Sequence, residues 1–230
     1  MKHRSGKKYA AALEKVNRQT KYPLEEAVAL VKEVSYSSFP WSLEVHIVTH
    51  ANPKYNDQMM RGTVVLPHGT GKTVKVAAFV GDEQREEAQK AGADIAGNAE
   101  LITAIEKWEV NFDVLVTTAD MMRELAKVAK VLWPKWLMPS PKSGTVTQNL
   151  AQTIDEIKKW RVEFKLDKTG NIHVGAGKLS FTAEQLIENC QALFKAIAEN
   201  KPSGVKGRLV KKVVLAPTMW PWVPTQADII

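Results

Sequence analysis

Apolar and polar residues alternate in the first and last parts of the chain. In SLEVHIVTH, Leu43, Val45 and Ile47 fall on one side of an extended chain, and the polar residues between them fall on the other. Successive side chains of a strand point to opposite faces, so this pattern predicts a strand with one buried and one solvated face. A second strand is predicted at 64–66, and GRLVKKVVLAPTM, with its interleaved Lys and Arg, predicts a last strand.

Turn and capping signals complete these two parts of the chain. RVEFKLD and NIHV flank a Lys-Thr-Gly turn at 168–170, which predicts a hairpin. PLEEAVALVKEV begins with Pro23, a residue suited to a first helical turn, and predicts an amphipathic helix. Thr182 and Gln185 have the spacing of a capping box and predict the start of another helix.

The middle of the chain has a different pattern. TVKVAAFV and FDVLVTT are nearly continuous apolar runs, and helical patterns alternate with them: GDEQREEAQKAG, 98–107, DMMRELAKVAK, and QNLAQTIDEIKK with Thr147 as its cap. Buried strands that alternate with helices are typical of βαβ units on a parallel sheet. The sequence therefore predicts an α/β protein with a discontinuous α+β domain, 1–67 and 160–230, and an inserted doubly wound, Rossmann-like three-layer α/β domain, 68–159.

The composition favours an anionic partner. Lys and Arg outnumber Asp and Glu by 32 to 25, which gives a formal net charge of +7. No apolar run approaches the roughly 18 residues of a spanning helix, and MKHRSGKKYAAALEK lacks the apolar core of a signal peptide. We therefore expect a cytoplasmic protein with no membrane partner. The single cysteine, Cys190, lies in an apolar-periodic stretch and is expected to be a buried structural thiol.

The motifs that suggest catalysis are incomplete. The GTGKT segment at 69–73 is similar to the end of a phosphate-binding P-loop, but Leu66 stands where the first glycine of that motif belongs, and a strand pattern follows. The glycines of AGADIAGN lack dinucleotide-site spacing and are expected in turns. His46 and His50 share one strand face without a zinc motif. We expect no enzyme, no cofactor and no metal; a nucleotide-binding Rossmann-like enzyme that uses GTGKT is the alternative.

Basic side chains are concentrated near both termini. Those suited to phosphate contacts are Lys2, Arg4, Lys7, Lys8, Lys201, Lys206, Arg208, Lys211 and Lys212. On charge alone, a solvated basic face explains them equally well.

Longer stretches carry a more specific signal. DQMMRGTVVLPHGTGKTVKV, AGADIAGNAELI, FDVLVTTADMM, LMPSPKSGTVT, VEFKLDKTGNIHV and KPSGVKG closely resemble the L-one family of large-subunit ribosomal proteins, in family order over nearly the whole chain. The resemblance implies a split first domain with an inserted α/β domain. It also implies binding of large-subunit rRNA in the mobile stalk near the tRNA exit site, and release of deacylated tRNA. Bacterial members of the family also repress translation by binding the leader of their own mRNA.

The resemblance also implies a set of RNA-binding residues: Phe39, Lys168, Thr169, Gly170, His173, Ser203, Lys206, Thr218, Met219 and Trp220. The strand end at Thr218 would contact riboses, and Phe39 would offer a flat apolar face to riboses or bases, unless Phe39 is a core residue. The expected partners are large-subunit rRNA, exit-site tRNA and the chain's own mRNA leader, and the free protein is expected to be a monomer. A messenger-binding repressor outside the ribosome is a further alternative.

Tryptophan is unusually frequent, with seven Trp against six Phe and four Tyr. The resemblance implies glycine as a common or acceptable residue at all seven positions: Trp41, Trp108, Trp133, Trp136, Trp160, Trp220 and Trp222. Trp160, for example, follows a predicted helix where a left-handed backbone favours glycine. We hypothesise that these residues are glycines in the cell, encoded by a reassigned TGA codon. Genuine tryptophans that stack on RNA bases are the alternative.

Overall fold

The computed structural model describes residues 6–35, 39, 41–158 and 161–226. The predicted basic residues Lys2 and Arg4, together with Trp160, lie outside the described residues. The chain divides into two compact units, Met1–Gly71 with Val162–Ile230, and Lys72–Arg161. We call the first the split unit and the second the inserted unit. Within the described ranges, no helix has the length and apolar character that a membrane span requires.

The elements follow one another as helices and short strands. The α-helices of the described residues are α1 Lys7–Glu14, α2 Leu24–Val34, α3 Asp82–Lys90, α4 Ala99–Glu106, α5 Met122–Leu125, α6 Ala129–Leu132, α7 Leu150–Lys158 and α8 Ala183–Glu199. The strands are β1 Ser42–Thr49, β2 Arg61–Val65, β3 Val76–Phe79, β4 Ile95–Gly97, β5 Val114–Thr117, β6 Arg161–Lys165, β7 Asn171–Lys178, β8 Val210–Pro217 and β9 Val223–Thr225. This mixture of helices and sheets confirms the predicted α/β fold class.

The split unit is built on a four-stranded sheet with the order β7-β1-β8-β9. Strand β1 pairs antiparallel with β7 and with β8, and β8 pairs antiparallel with β9. Leu43, Val45 and Ile47 are at most 1% exposed and belong to a core that includes residues of α2 and α8. Burial of such side chains is the main favourable term in folding, about 1.5–3 kcal/mol each. The predicted one-sided strand is therefore confirmed.

Helix α8 begins and is anchored as its sequence predicts. The Gln185 amide donates to the Thr182 hydroxyl, the Gln185 side chain accepts from the Thr182 amide, and both halves of the capping box are present. Cys190 of α8 is fully buried, as predicted, and burial raises the pKa of its thiol to about 12. A thiol with so high a pKa carries almost no reactive thiolate at neutral pH.

The inserted unit has a parallel sheet with the order β4-β3-β5. On one face Val76 and Ala78 belong to a core that includes residues of α3 and α7. On the other, Ala77 and Phe79 belong to a core that includes residues of α4, α5 and α6. Helices on both faces explain why these strands are continuous apolar runs, and the arrangement is doubly wound.

The predicted hairpin around 168–170 is wrong. Strand β6 pairs with β2 in a separate two-stranded sheet, whereas β7 pairs with β1. Only an isolated bridge joins Leu166 to Ile172. Asp167 accepts from the amides of Thr169 and Asn171, which closes the turn, and the chain then leaves the small sheet for the large one.

Two predicted helices differ from the structure. DMMRELAKVAK is divided into α5, a 3-10 turn at Ala126–Val128, and α6. The division falls at Val128, a buried β-branched residue with φ −100° and ψ 7°, outside the helical region. Helix α7 begins at Leu150, so Thr147 is not its cap, and the Thr147 hydroxyl instead accepts from the Asn149 amide in the preceding turn.

Three short elements were not predicted from the sequence: α1, β4 and β9. Helix α1, Lys7–Glu14, lies in the basic N-terminal segment. Strand β9 lies in the tail, so β8 is not the last strand. Gly92 lies in a turn with φ 96°, as expected, but Gly97 lies in strand β4. These elements are eight residues long or shorter, and they give little periodic pattern for a sequence-based prediction to use.

Candidate nucleic-acid interface

The split-unit sheet has a face that α2 and α8 leave uncovered. Glu44 and His46 of β1 lie on this face, opposite the buried side of the strand. In the register of the sheet His46 lies beside His173 of β7 and Val214 of β8. We call this surface the open sheet face. The alternation in SLEVHIVTH placed Glu44 and His46 on the solvated side, but only His173 of this row was predicted as a site residue.

A series of polar contacts begins at the end of β8. The Thr218 hydroxyl donates to Glu44 Oε1 at 2.6 Å, and Glu44 Oε2 lies 3.6 Å from His46 Nε2. His46 Nδ1 lies 2.8 Å from His173 Nδ1, so one ring donates a hydrogen bond to the other according to its tautomer. These contacts join β8 to β1 and β1 to β7.

The same series continues to the turn before β7. His173 Nε2 lies 3.5 Å from Asp167 Oδ2, and the Thr169 hydroxyl donates to the same oxygen at 2.7 Å. We call the whole series the polar track; its members are Thr218, Glu44, His46, His173, Asp167 and Thr169. The track crosses the open sheet face and brings three of the predicted RNA-binding residues, Thr218, His173 and Thr169, into one chain of contacts.

The protonation states along the track are set by local contacts. Burial lowers the pKa of His46 and so does nearby His173, whereas Glu44 opposes them. Burial tends to raise the pKa of Asp167, but hydrogen bonds from Asn171 and Thr169, together with His173, outweigh it and hold that pKa at about 2. At neutral pH the track therefore contains a neutral His46 and an ionised Asp167.

One end of the open sheet face carries the predicted residues of the C-terminal motif. The Thr218 amide donates to the Ser42 carbonyl at 3.1 Å, which ends the pairing of β8 with β1. Met219 follows with φ 70° and is 83% exposed. The Trp220 amide donates to the Pro217 carbonyl and closes the turn. Phe39 is 56% exposed, with its ring 4.4 Å from that of Trp41, so the core alternative for Phe39 is wrong.

The other end of the face carries the turn at 168–170. Lys168 and Thr169 are exposed, and Gly170 is buried with φ 83°. A Cβ at Gly170 would lie 2.8 Å from the Ala51 carbonyl oxygen, so the turn requires glycine there. The Thr49 amide and hydroxyl both donate to the Gly170 carbonyl, which fixes the turn against β1.

Ser203 and Lys206, which the resemblance also implied, are exposed on the connection between α8 and β8. They are not members of the polar track. Lys212 of β8 and Arg18 both lie over the ring of Trp222, at 4.1 and 4.7 Å from its centre. Trp222 was predicted only as one of the seven tryptophans that are glycines or stack on RNA bases, and Arg18 was not predicted. Residues so far apart along the sequence meet only in the folded chain.

The part of the chain that the structure describes shows no site for the alternative functions, metal binding and phosphate binding. No three His, Cys, Asp or Glu side chains there are grouped so that they could hold a metal ion. His50 is exposed beyond the end of β1, and His46 pairs with His173 instead. The GTGKT segment is followed by strand β3 rather than by a helix N-terminus that could face a phosphate.

Comparison with known proteins identifies the family. The model of the ribosomal protein L1p/L10e family matches residues 31–221. Large ribosomal subunit protein uL1 of Chloroflexus aggregans is 50% identical over 222 residues, which cover 95% of this chain and 94% of that protein. The uL1c protein of Phaeodactylum tricornutum is 48% identical over 206 residues, 90% of each chain, and the uL1 protein of Kosmotoga olearia is 47% identical over 217 residues, 94% of each.

These relatives confirm the resemblance found in the sequence motifs. They are ribosomal proteins and not enzymes, which confirms that the role of this chain is structural and excludes the nucleotide-binding enzyme. The chain belongs to the ribosomal protein L1p/L10e family.

Proposed function

We propose that this ribosomal protein is a constituent of the large subunit and binds large-subunit rRNA on the open sheet face. The polar track carries the proposal, because it joins residues of β8, β1 and β7 into one hydrogen-bonding surface on an uncovered sheet. The relatives named above are large ribosomal subunit proteins, and the track contains Thr218, His173 and Thr169, which the resemblance assigned to RNA binding.

The chemistry of the track suits riboses better than phosphates. Glu44 and Asp167 present carboxylate oxygens, which accept hydrogen bonds from 2′-hydroxyls and repel phosphates. The hydroxyls of Thr218 and Thr169 can exchange their present bonds to these carboxylates for bonds to a ribose. Recognition along the track would therefore depend on the 2′-hydroxyl, the group that distinguishes RNA from DNA.

Phosphates would be held by the basic side chains around the track. Lys168 is exposed beside Thr169, Lys206 is exposed on the connection to β8, and Lys212 lies on β8 itself. Such contacts are insensitive to sequence and weaken with salt, because they release counterions. Exposed Phe39 and Met219 would add apolar contact to unstacked bases or riboses.

The proposal of a more specific role in translation rests on the family relation. We propose that, bound in this way, the chain forms the stalk near the tRNA exit site and assists the release of deacylated tRNA. We also propose that it represses translation of its own mRNA, whose leader would copy the folded rRNA element and compete for the same surface. This relation between the two RNAs requires that rRNA displace the leader from the protein.

Binding of an rRNA fragment and of a random RNA of equal length tests the proposal. Thr218→Ala is expected to weaken binding of the fragment about tenfold, because it removes one hydroxyl and disturbs Glu44, and to leave binding of random RNA unchanged. Lys212→Ala is the matched control, and it should weaken both and reduce the slope of log affinity against log salt by about 1. Equal losses of Thr218→Ala on both RNAs would count against recognition of the folded fragment by Thr218.

Two further measurements test the ribose contacts and the association with the large subunit. A fragment with 2′-deoxy riboses at the contacted nucleotides should bind the intact protein as weakly as the natural fragment binds Thr218→Ala. The protein should also remain with purified large subunits through washes at moderate salt. Its absence from those subunits would refute the ribosomal assignment and favour a messenger-binding repressor outside the ribosome.

A further inference from the structure

The same backbone motif occurs at the ends of two helices of the inserted unit and in the turn after a third. At the end of α3 the Gly92 amide donates to the Gln89 carbonyl and the Ala93 amide to the Ala88 carbonyl. Gly92 has φ 96°. This pair of bonds is the Schellman motif, in which the residue after the C-cap takes a left-handed backbone, and glycine is the usual residue there.

Helix α4 ends in the same way with a different residue. The Trp108 amide donates to the Ile105 carbonyl at 2.9 Å, and the Glu109 amide donates to the Ala104 carbonyl at 3.0 Å. Trp108 occupies the position that Gly92 has in α3, with φ 64°. Its side chain is 61% exposed, and Lys135 Nζ lies 5.6 Å from the centre of its ring, a weak interaction at an exposed site.

The turn after α6 repeats the motif a third time. The Trp136 amide donates to the Trp133 carbonyl at 3.0 Å, and the Leu137 amide to the Leu132 carbonyl at 3.1 Å. Trp136 has φ 59° and is 84% exposed. A bulky side chain is disfavoured in this conformation because its Cβ approaches the neighbouring carbonyl, and exposure to this degree recovers little of that loss through burial.

These residues stand out within the whole described chain. There, three non-glycine residues have a positive φ, and two of them are Trp108 and Trp136. The third, Met219, follows a strand and does not end a helix. Tryptophan has no polar side-chain group that stabilises the left-handed region locally, unlike Asn or Asp. Its repeated use at a glycine position is therefore unfavourable for the backbone.

We propose that positions 108 and 136 are glycines in the native protein, encoded by TGA codons that the cell reads as glycine and that are misassigned as tryptophan under a different variant code, in which TGA encodes tryptophan. The meaning of a codon belongs to the cell, so each of the other five positions is glycine where the gene carries the same codon. The structure accommodates two of them to different degrees. The ring of Trp222 lies beside Arg18 and Lys212, whereas the buried indole nitrogen of Trp41 has no hydrogen-bond partner among the described residues. Among the described residues, the tryptophans with a left-handed backbone are those at 108 and 136.

The gene and the native protein test this directly. Positions 108 and 136 should be TGA and not TGG in the gene, and proteolytic peptides of protein isolated from the native cells should have the mass of glycine at both. A TGG codon, or a tryptophan-containing peptide, at either position would overturn the proposal.

Variants of the full chain test the physical reason. Trp108→Gly and Trp136→Gly should each reduce the unfolding equilibrium constant of the inserted unit about tenfold, since each relieves a left-handed non-glycine residue. Trp133→Gly is the matched control, because Trp133 lies in the same turn, is 70% exposed and has an ordinary helical φ of −60°. It should give no gain, since glycine at a helical φ is unfavourable. An equal gain in the control, or none at 108 and 136, would contradict the argument.

Discussion

The central strands of the two units differ in the burial of their side chains. In β1 of the split unit, buried and partly exposed residues alternate along all eight positions. In β3 of the inserted unit all four residues are buried, because helices cover both faces of the sheet. Both strands lie between two neighbours, so the difference comes from what packs on the sheet and not from strand pairing.

This difference in burial means that β3 contributes to stability, whereas the open sheet face is available for recognition. A fully buried strand has no free position for a hydrogen-bonding side chain, since an unpaired polar group in such a core is costly. The open sheet face of the split unit instead collects Glu44, His46 and His173 in mutual contact. These groups satisfy one another without ligand and can turn to a ligand when one binds. Changes in β3 should therefore affect stability, and changes on the face of β1 should affect binding.

The largest expected effect comes from Phe79→Ala in β3. Phe79 is fully buried, and its truncation should destabilise the inserted unit by about 3–5 kcal/mol through lost burial and a residual cavity. Hydrogen exchange read by mass spectrometry on peptides from β3 should show this loss as faster exchange. The affinity for the rRNA fragment should change less than about twofold, a shift within ordinary surface effects.

The single cysteine gives a control for that measurement. Cys190 is buried in the split unit with a pKa raised to about 12, so a thiol reagent labels it only when that unit opens. Its labelling rate in native buffer should be the same in Phe79→Ala and in the unchanged chain. Faster labelling, or a large loss of RNA affinity, would show that the two units are not separate in stability and function.

The sequence predicted best those features that have a strong period. The alternation around Val45, the apolar run of β3 and the capping box of α8 each depend on residues close together in the sequence, and each matches the structure. The pairing of β6 with β2 was missed, because partners in a sheet are chosen by distant residues and the turn at 168–170 is compatible with either partner. The division at Val128 was missed because its apolar spacing also fits one continuous helix.

The candidate site shows the same limit. Family motifs pointed to Thr218, His173 and Thr169, and these residues lie along the polar track. Glu44 and His46 connect them, but each looks like an ordinary solvated residue of an alternating strand. Only the register of β1 with β7 and β8 shows that they lie between the predicted residues.

A smaller effect is expected for Glu44→Gln on the open sheet face. Glutamine keeps the size of the side chain and an acceptor for the Thr218 hydroxyl, but it loses the charge that strengthens hydrogen bonds from riboses. We expect a three- to tenfold loss of affinity for the rRNA fragment, about 0.7–1.4 kcal/mol, and no change in stability of the inserted unit. Binding titrations at fixed salt measure this loss. A gain of affinity would mean that Glu44 faces phosphates, whose repulsion the substitution relieves.

The smallest expected effect is the pH dependence of the stability of the two units. All five histidines, His3, His46, His50, His68 and His173, belong to the split unit. The pKa of His46 is lowered in the folded chain, so the unfolded chain binds its proton more readily. The stability that His46 contributes is thus complete above about pH 6.5 and declines as the pH falls through its lowered pKa.

Hydrogen exchange followed from pH 7 to pH 5.5, and corrected for the intrinsic pH dependence of exchange, should therefore show β1 peptides losing protection. Peptides from β3 should not change, because the inserted unit has no histidine to titrate in that range. His46→Asn should reduce the decline in β1, while His50→Asn, an exposed histidine beyond the strand, serves as its control and should leave the decline intact. An equal decline in both units would assign the pH effect to net charge, and the distinction between the open and the covered sheet would then not extend to their titration.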